Sequence, residues 1–292
     1  MDKLFYYIVY TACFMLSLLP LRALYFMSDI LFFPFYYCVR YRRKVVRKNL
    51  VNSFPEKSTK EIIQIEKKYY SFLCDYLFET LKLLSISEKE IRKRMTFEGI
   101  EAMEKAMSDN KPCIICLGHY CNWEWVTSIM LHLNKMFFCG QVYQPLKNIM
   151  ADKLFLKIRG RFHANNIPRE KVLRKIAELR QENKNFIIGF ISDQTPNWAS
   201  IRLWIPFLNQ DTPVFLGPER IARQTGAAVF YADMTRIKRG YYHCKTVLIS
   251  EYPKELQENV LTEKYFKLLE ENIKKMPQFW LWSHNRWKRQ RK

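Results

Sequence analysis

The chain has 292 residues, 49% of them hydrophobic and 26% charged, which suffices for one large folded domain and excludes an intrinsically disordered chain. Forty-eight Lys and Arg against 28 Asp and Glu leave a net charge of +20, which predicts an anionic partner: nucleic acid, a membrane surface, or an acidic substrate or protein. The eight glycines never spell GxGxxG or a GxxxxGK run, so the common phosphate-cradling loops are excluded.

The first element is apolar. Leu4 to Leu21 carries no charge over 18 positions, and Ala23 to Val39 is interrupted only by Asp29. A membrane span takes about 20 apolar residues, so the pair predicts a membrane-anchoring helix or helical hairpin, with a buried core helix as the alternative. No small-x-small cleavage site follows, which argues against a signal peptide. Arg40, Arg42, Arg43, Lys44, Arg47 and Lys48 come next; they suit anionic headgroups and hold the remainder on the cytoplasmic side. The expected organisation is an anchor over 1–48 and a cytoplasmic domain over 49–292. Eight cysteines without regular spacing read as reduced thiols.

Lys57 to Leu84 has helical periodicity, capped at Ser58 or Thr59. Beyond it, apolar runs alternate with amphipathic ones. Strands are predicted at Pro112–Leu117, Phe137–Tyr143, Phe186–Ser192, Ala227–Thr235 and Tyr241–Ile249. Helices are predicted at Asn122–Leu133, Asn148–Ile158, Arg169–Gln181 and Leu261–Lys275. Such alternation predicts an α/β fold, a mixed sheet flanked by helices, behind the N-terminal membrane-anchoring helical segment.

The sharpest candidate site follows the strand ending at Leu117, in Gly118-His119-Tyr120-Cys121-Asn122-Trp123-Glu124. Functional groups in α/β folds collect at the carboxyl ends of strands. His119 and Glu124 are five apart, about 140° out of alignment on a regular helix. They meet only if His119 lies in the turn and Glu124 in the first helical turn, with Gly118 giving a tight exit and Asn122 capping the helix. A carboxylate on one imidazole nitrogen leaves the other free as a general base. The plain alternative is a histidine satisfied at a helix start, with Glu124 complementing the dipole. Zinc at Cys113, Cys116, His119 and Cys121 is disfavoured: residues three apart on a strand face opposite ways, and a second paired ligand set is missing. Cys121 as nucleophile would need its base to fold back from two residues upstream. Basic residues spread through the whole chain argue against nucleic acid.

The GHYCNWE run resembles the His-x4-acidic motif of the lysophospholipid acyltransferase superfamily, in the form found in the late, Kdo-dependent lipid A biosynthesis acyltransferases. Further blocks are similar to that family: RKVVRKNLVNSFPE from Arg43, YQPLKN from Tyr143 with Arg159-Gly-Arg161, Ser192-Asp193-Gln194 with Pro206-Phe207, ARQTGA from Ala222, and the segment from Pro277 to Lys288. Where the family has His-Arg-Arg-Phe/Trp-Lys, this chain has His284-Asn285-Arg286-Trp287-Lys288. The resemblance implies a lysophospholipid-acyltransferase-like fold at the inner membrane, no metal and no cofactor. It implies acyl carrier protein as donor and partner, and a lipid A precursor as acceptor. His119 would be the general base and Glu124 would orient it, without an acyl-enzyme. Arg159 or Arg161, with Arg161 preferred, would hold phosphate or oxyanion charge, and Asp193 would position that arginine. Asn122, Gln194, Arg286 and Lys288 complete the expected substrate-binding set. The same chemistry on a lysophospholipid, glycosyl lipid or aminolipid is the alternative.

Overall fold

The computed structural model describes residues 2–133 and 137–291. Two apolar helices, α1 (Asp2–Leu18) and α2 (Leu21–Phe33), are followed by a wider helical turn, Pro34–Val39. Among the described residues no single helix is long and apolar enough to cross a membrane; Leu4–Leu18 and Leu21–Val39 reach that length and composition only together, bent by 114°. Arg40 and Arg42, at φ 52° and 49°, turn the chain into α3 (Arg43–Ser53). The expected boundary at 48/49 falls inside this helix.

The long helix α4 (Thr59–Lys82) starts at Ser58, whose side chain and that of Glu61 form a reciprocal cap. It carries three acids that hold the N-terminal segment. Glu66 takes Tyr36, Arg43 and Arg47, Asp75 takes Ser28, Arg236 and Arg239, and Glu79 takes Tyr25. Asp29, the one charge in the second apolar stretch, pairs with Arg239. Leu21, Leu24 and Tyr36 are buried in the same core as the rest of the chain.

Then come α5 (Glu88–Arg94), β1 (Met95–Glu98), α6 (Ile100–Ser108), β2 (Cys113–Leu117), β3 (Phe138–Tyr143), α7 (Ile149–Arg159), β4 (Asn165–Pro168), α8 (Val172–Gln181) and β5 (Phe186–Ile191). The hairpin β6 (Leu203–Phe207) and β7 (Gln210–Val214) leads to α9 (Gly217–Thr225), β8 (Ala228–Lys238), β9 (Tyr241–Ser250) and α10 (Val260–Lys275). Seven strands form one mixed sheet in the order β1-β9-β8-β2-β5-β3-β4, parallel except where β8 meets β9. The α/β expectation, a mixed sheet with helices on its faces, is met. β2 is wholly buried, as a strand covered on both faces must be. After β2 the chain fills the sheet on one side through β3, β4 and β5 and later on the other through β8, so the carboxyl end of β2 lies at a topological switch point.

The helix expected over Asn122–Leu133 is instead a tight 3₁₀ stretch, Trp125–Leu131. Thr127 and Ser128 hydroxyls bond back to the carbonyls of Glu124 and Trp125, competing with a regular ladder.

Candidate active site

β2 and β5 pair in parallel with Leu117 opposite Ile191. Two residues past each, His119 and Asp193 leave the sheet side by side. His119 Nδ1 lies 2.6 Å from Asp193 Oδ1, and the His119 amide donates to Oδ2 over 2.9 Å. Trp280 Nε1 donates to the same Oδ2 over 2.8 Å. Burial would raise the Asp193 carboxyl, but the His119 ring and these N–H donors outweigh it and hold it at about 2. An ionised carboxylate only accepts, so Nδ1 is the donor to it, and in the neutral ring Nε2 carries the lone pair. Gln194 Nε2 lies 3.2 Å from that nitrogen.

Glu124 is therefore not the orienting partner of His119. Its carboxylate is 2% exposed and takes a two-pronged bond from Arg159, Nε to Oε2 at 2.8 Å and Nη2 to Oε1 at 2.6 Å. Tyr76 OH adds a longer contact of 3.4 Å. The local cause is the loop: Cys121, at φ 52°, makes the tight turn and Trp123 is interposed, its ring 5.1 Å from that of His119. Gly118 serves a different purpose from the expected tight exit. A Cβ there would lie 2.6 Å from Leu269 Cδ1, so the missing side chain is what lets α10 pack against the loop.

His119, Glu124, Arg159 and Gln194 nevertheless share one cavity of about 300 Å³. Its wall runs down the faces of β2, β5 and β3 through Leu117, Ile115, Gly189 and Cys139, and it is closed on the other side by Val126 and Ile129. The site is a polar rim over an apolar shaft.

Other expected positions separate. Of the two arginines it is Arg159, not Arg161, that enters the site: Arg161 is exposed and donates to the Ile86 carbonyl, because α7 ends between them at Gly160. Asp193 positions the histidine and not an arginine. Asn122 is fully buried; its oxygen accepts from Trp125 N, the expected cap, and its amide donates to Glu79 over 2.7 Å. It is a loop anchor and does not face substrate. Arg286 is likewise 0% exposed, donating to the Pro213 carbonyl; burial lowers its guanidinium to about 10. Its guanidinium is closed off from the surface, whereas Lys288 is exposed. The Cys113, Cys116 and Cys139 thiols are pushed up to about 12 by burial, and burial raises Cys121 well above the ordinary thiol value, which makes them poor nucleophiles.

Sequence reasoning did not single out Trp280, Glu79 or Tyr76. The segment after α10 is what delivers Trp280: Leu281 N donates to His119 O, and Cys121 N donates to Phe279 O. Glu79, fully buried, accepts from Asn122, Tyr25 and Tyr242. The one signal available was an acid amid the aromatic residues of α4.

A family model described as bacterial lipid A biosynthesis acyltransferase matches residues 1–289. The lipid A biosynthesis palmitoleoyltransferase of Escherichia coli (strain K12) is 24% identical over 251 residues, 85% of this chain and 79% of that protein. A lipid A biosynthesis acyltransferase of Shigella flexneri matches to the same extent, and one of Haemophilus influenzae (strain ATCC 51907 / DSM 11121 / KW20 / Rd) is 28% identical over 122 residues, 41% of this chain and 37% of that protein.

Proposed function

The chain belongs to the bacterial lipid A biosynthesis acyltransferase family, and from that premise we propose that it moves a fatty acyl group from acyl carrier protein to a hydroxyl of a lipid A precursor at the cytoplasmic face of the inner membrane. The observation that carries this reading is the His119 imidazole, fixed through Nδ1 by Asp193 with Nε2 turned to Gln194, on the rim of an apolar shaft.

In this mechanism the acyl chain fills the shaft and brings its thioester carbonyl to the rim. The acceptor hydroxyl displaces Gln194 from His119 Nε2, which takes its proton as the oxygen attacks. The new C–O bond gives a tetrahedral oxyanion, and Arg159, held by Glu124, supplies positive charge on that rim. The C–S bond then breaks and the proton passes from His119 to the leaving thiolate. No cofactor takes part. The apolar hairpin provides the membrane attachment: Leu4, Phe5, Ile8, Met15, Phe26, Ile30 and Phe33 are exposed, a larger apolar display than a soluble monomer carries.

Lipid A mass spectrometry of cells lacking the chain tests the reading. One acyl chain should be missing, restored by the wild-type copy and not by His119→Ala. An unaltered lipid A profile would move the acceptor to another lipid. Gly189 tests the shaft. A Cβ at this position would meet nothing nearer than 3.8 Å, the Gly140 carbonyl oxygen, so Gly189→Met places its side chain in the shaft without a backbone clash. We expect kcat/KM for the longest accepted donors to fall about tenfold or more, with the shortest unaffected. An equal effect on every chain length would mean that the acyl group lies elsewhere.

A further inference from the structure

We propose that a second cavity, on the far side of Gln194 from the acyl shaft, holds the acceptor, and that Arg42 binds an anionic phosphate of its headgroup. The assignment rests on the acyl-transfer reading and adds to it the place and the chemistry of the second substrate.

The cavity encloses about 320 Å³. Gln194 lines both it and the shaft, and Gln194 is the side chain that touches His119 Nε2. The two spaces therefore meet at Gln194, next to the nitrogen that must take the acceptor's proton. The lining is amphiphilic, with Phe35, Leu73, Leu77 and Leu281 beside Ser283, His284 and Arg42. Among the described residues no carboxylate lines it. Burial lowers His284 to about 4, leaving it neutral at pH 7, so Arg42 supplies the only charge in the wall among the described residues.

Arg42 is available for a ligand. It is exposed, and among the described residues its guanidinium makes one hydrogen bond, Nη1 to the Ser283 carbonyl at 3.2 Å. That bond anchors it at the cavity rim. Outside the rim the charge is one-sided. Arg43 and Arg47 share the single carboxylate of Glu66, while Arg40, Lys44 and Lys48 have no ion pair among the described residues and line an open groove beside Arg42. The first turn of α3 contains no acidic residue, and its N-terminus has no side-chain cap. The positive end of the helix dipole thus adds to the cations rather than opposing them.

A lipid fits this better than an acidic protein surface does. The cations stand directly after the apolar Pro34–Val39 turn, and Phe35 and Tyr41 of this junction line the cavity. A lipid with its acyl chains among the exposed residues of α2 brings its phosphate to Arg42 and its hydroxyl to Gln194.

Steady-state kinetics on the full-length protein in detergent, with phosphorylated and dephosphorylated forms of the lipid A precursor, provides the test. Arg42→Gln should raise the KM for the phosphorylated acceptor about tenfold to a hundredfold, the worth of a charge-assisted contact. The KM for acylated carrier protein should stay constant, and wild-type preference for the phosphorylated form should be lost. Arg42→Lys should recover part of that preference. An unchanged acceptor KM overturns the assignment, as does a rise confined to the carrier protein, which would make this the donor's surface. Equal losses on both acceptor forms, matched by weaker binding to phosphatidylglycerol vesicles, would reduce Arg42 to general membrane attraction. Wild-type protein that acylates neither form would overturn the acyl-transfer reading itself.

Discussion

Asp193→Asn should lower kcat on the order of 10³- to 10⁴-fold, as loss of the carboxylate does in other histidine-based sites, while leaving both KM values near wild type. The carboxylate accepts from the His119 amide, His119 Nδ1 and Trp280 Nε1. An asparagine has one oxygen to divide among them and an amino group that can only donate. The imidazole would then accept at Nδ1 and carry its proton on Nε2, unable to take one from a hydroxyl. The same substitution has a stability signature. Asp193 is held at about 2 when folded, below the ordinary aspartate value near 3.9. A depressed folded value contributes stability that is fully present above about pH 4 and is lost as pH falls toward 2, about 2 to 3 kcal/mol in all. In denaturant titrations at pH 7, 5 and 3 the wild type should weaken at the acid end more than Asp193→Asn, which starts lower. Wild-type turnover in the variant would remove Asp193 from the mechanism.

The second large effect is at the Glu124–Arg159 pair. Glu124→Ala leaves Arg159, with 20% of its side chain exposed, facing an empty partner position, and Arg159→Ala strands a carboxylate that is 2% exposed. Either single change should cost about 3–5 kcal/mol of stability and on the order of 10²- to 10³-fold in kcat. Glu124→Gln with Arg159→Met should recover much of the stability and none of the activity. A double-mutant cycle in both unfolding and kcat measures the coupling; strictly additive losses would mean the two residues do not act as a unit. The pH profile separates this arrangement from a His119–Glu124 dyad. If Glu124 acted on the imidazole, Glu124→Gln alone would shift the limb set by His119, whereas on the observed geometry Asp193→Asn shifts that limb and Glu124→Gln does not.

The strands that build the site were readable because they are short, dense apolar runs: Cys113–Leu117 and Phe186–Ile191 stand within a residue of the expected bounds. His119, Glu124, Arg159 and Gln194, which share the cavity, were among the expected residues, but the pairing of His119 with Asp193 was not legible. His119 and Asp193 lie 74 positions apart, and their contact depends on the register of two parallel strands, which no local periodicity encodes. With that register known, Leu117-Gly-His and Ile191-Ser-Asp align, each functional residue two past the last apolar position. The choice between Arg159 and Arg161 turned on where a helix ends, the least legible feature of any helix. The β6–β7 hairpin carries Pro206 and Pro213, residues that disguise a strand. The N-terminal apolar stretch pointed to a membrane, yet its Tyr25, Ser28 and Tyr36 hydroxyls are committed to acids of α4, so the same segment is part of the protein core.

The segment that seals His119 and Asp193, from Pro277 to Trp282, is made after every strand of the sheet. On the ribosome, the strands can pair while Asp193 still lacks its Trp280 donor and the His119–Cys121 loop still lacks its two backbone bonds to Phe279 and Leu281. The first helices can therefore pack against α4 before the imidazole is held in place. A chain cut short before Pro277 would lack the Trp280 donor that holds Asp193 and the backbone partners that hold the His119–Cys121 loop.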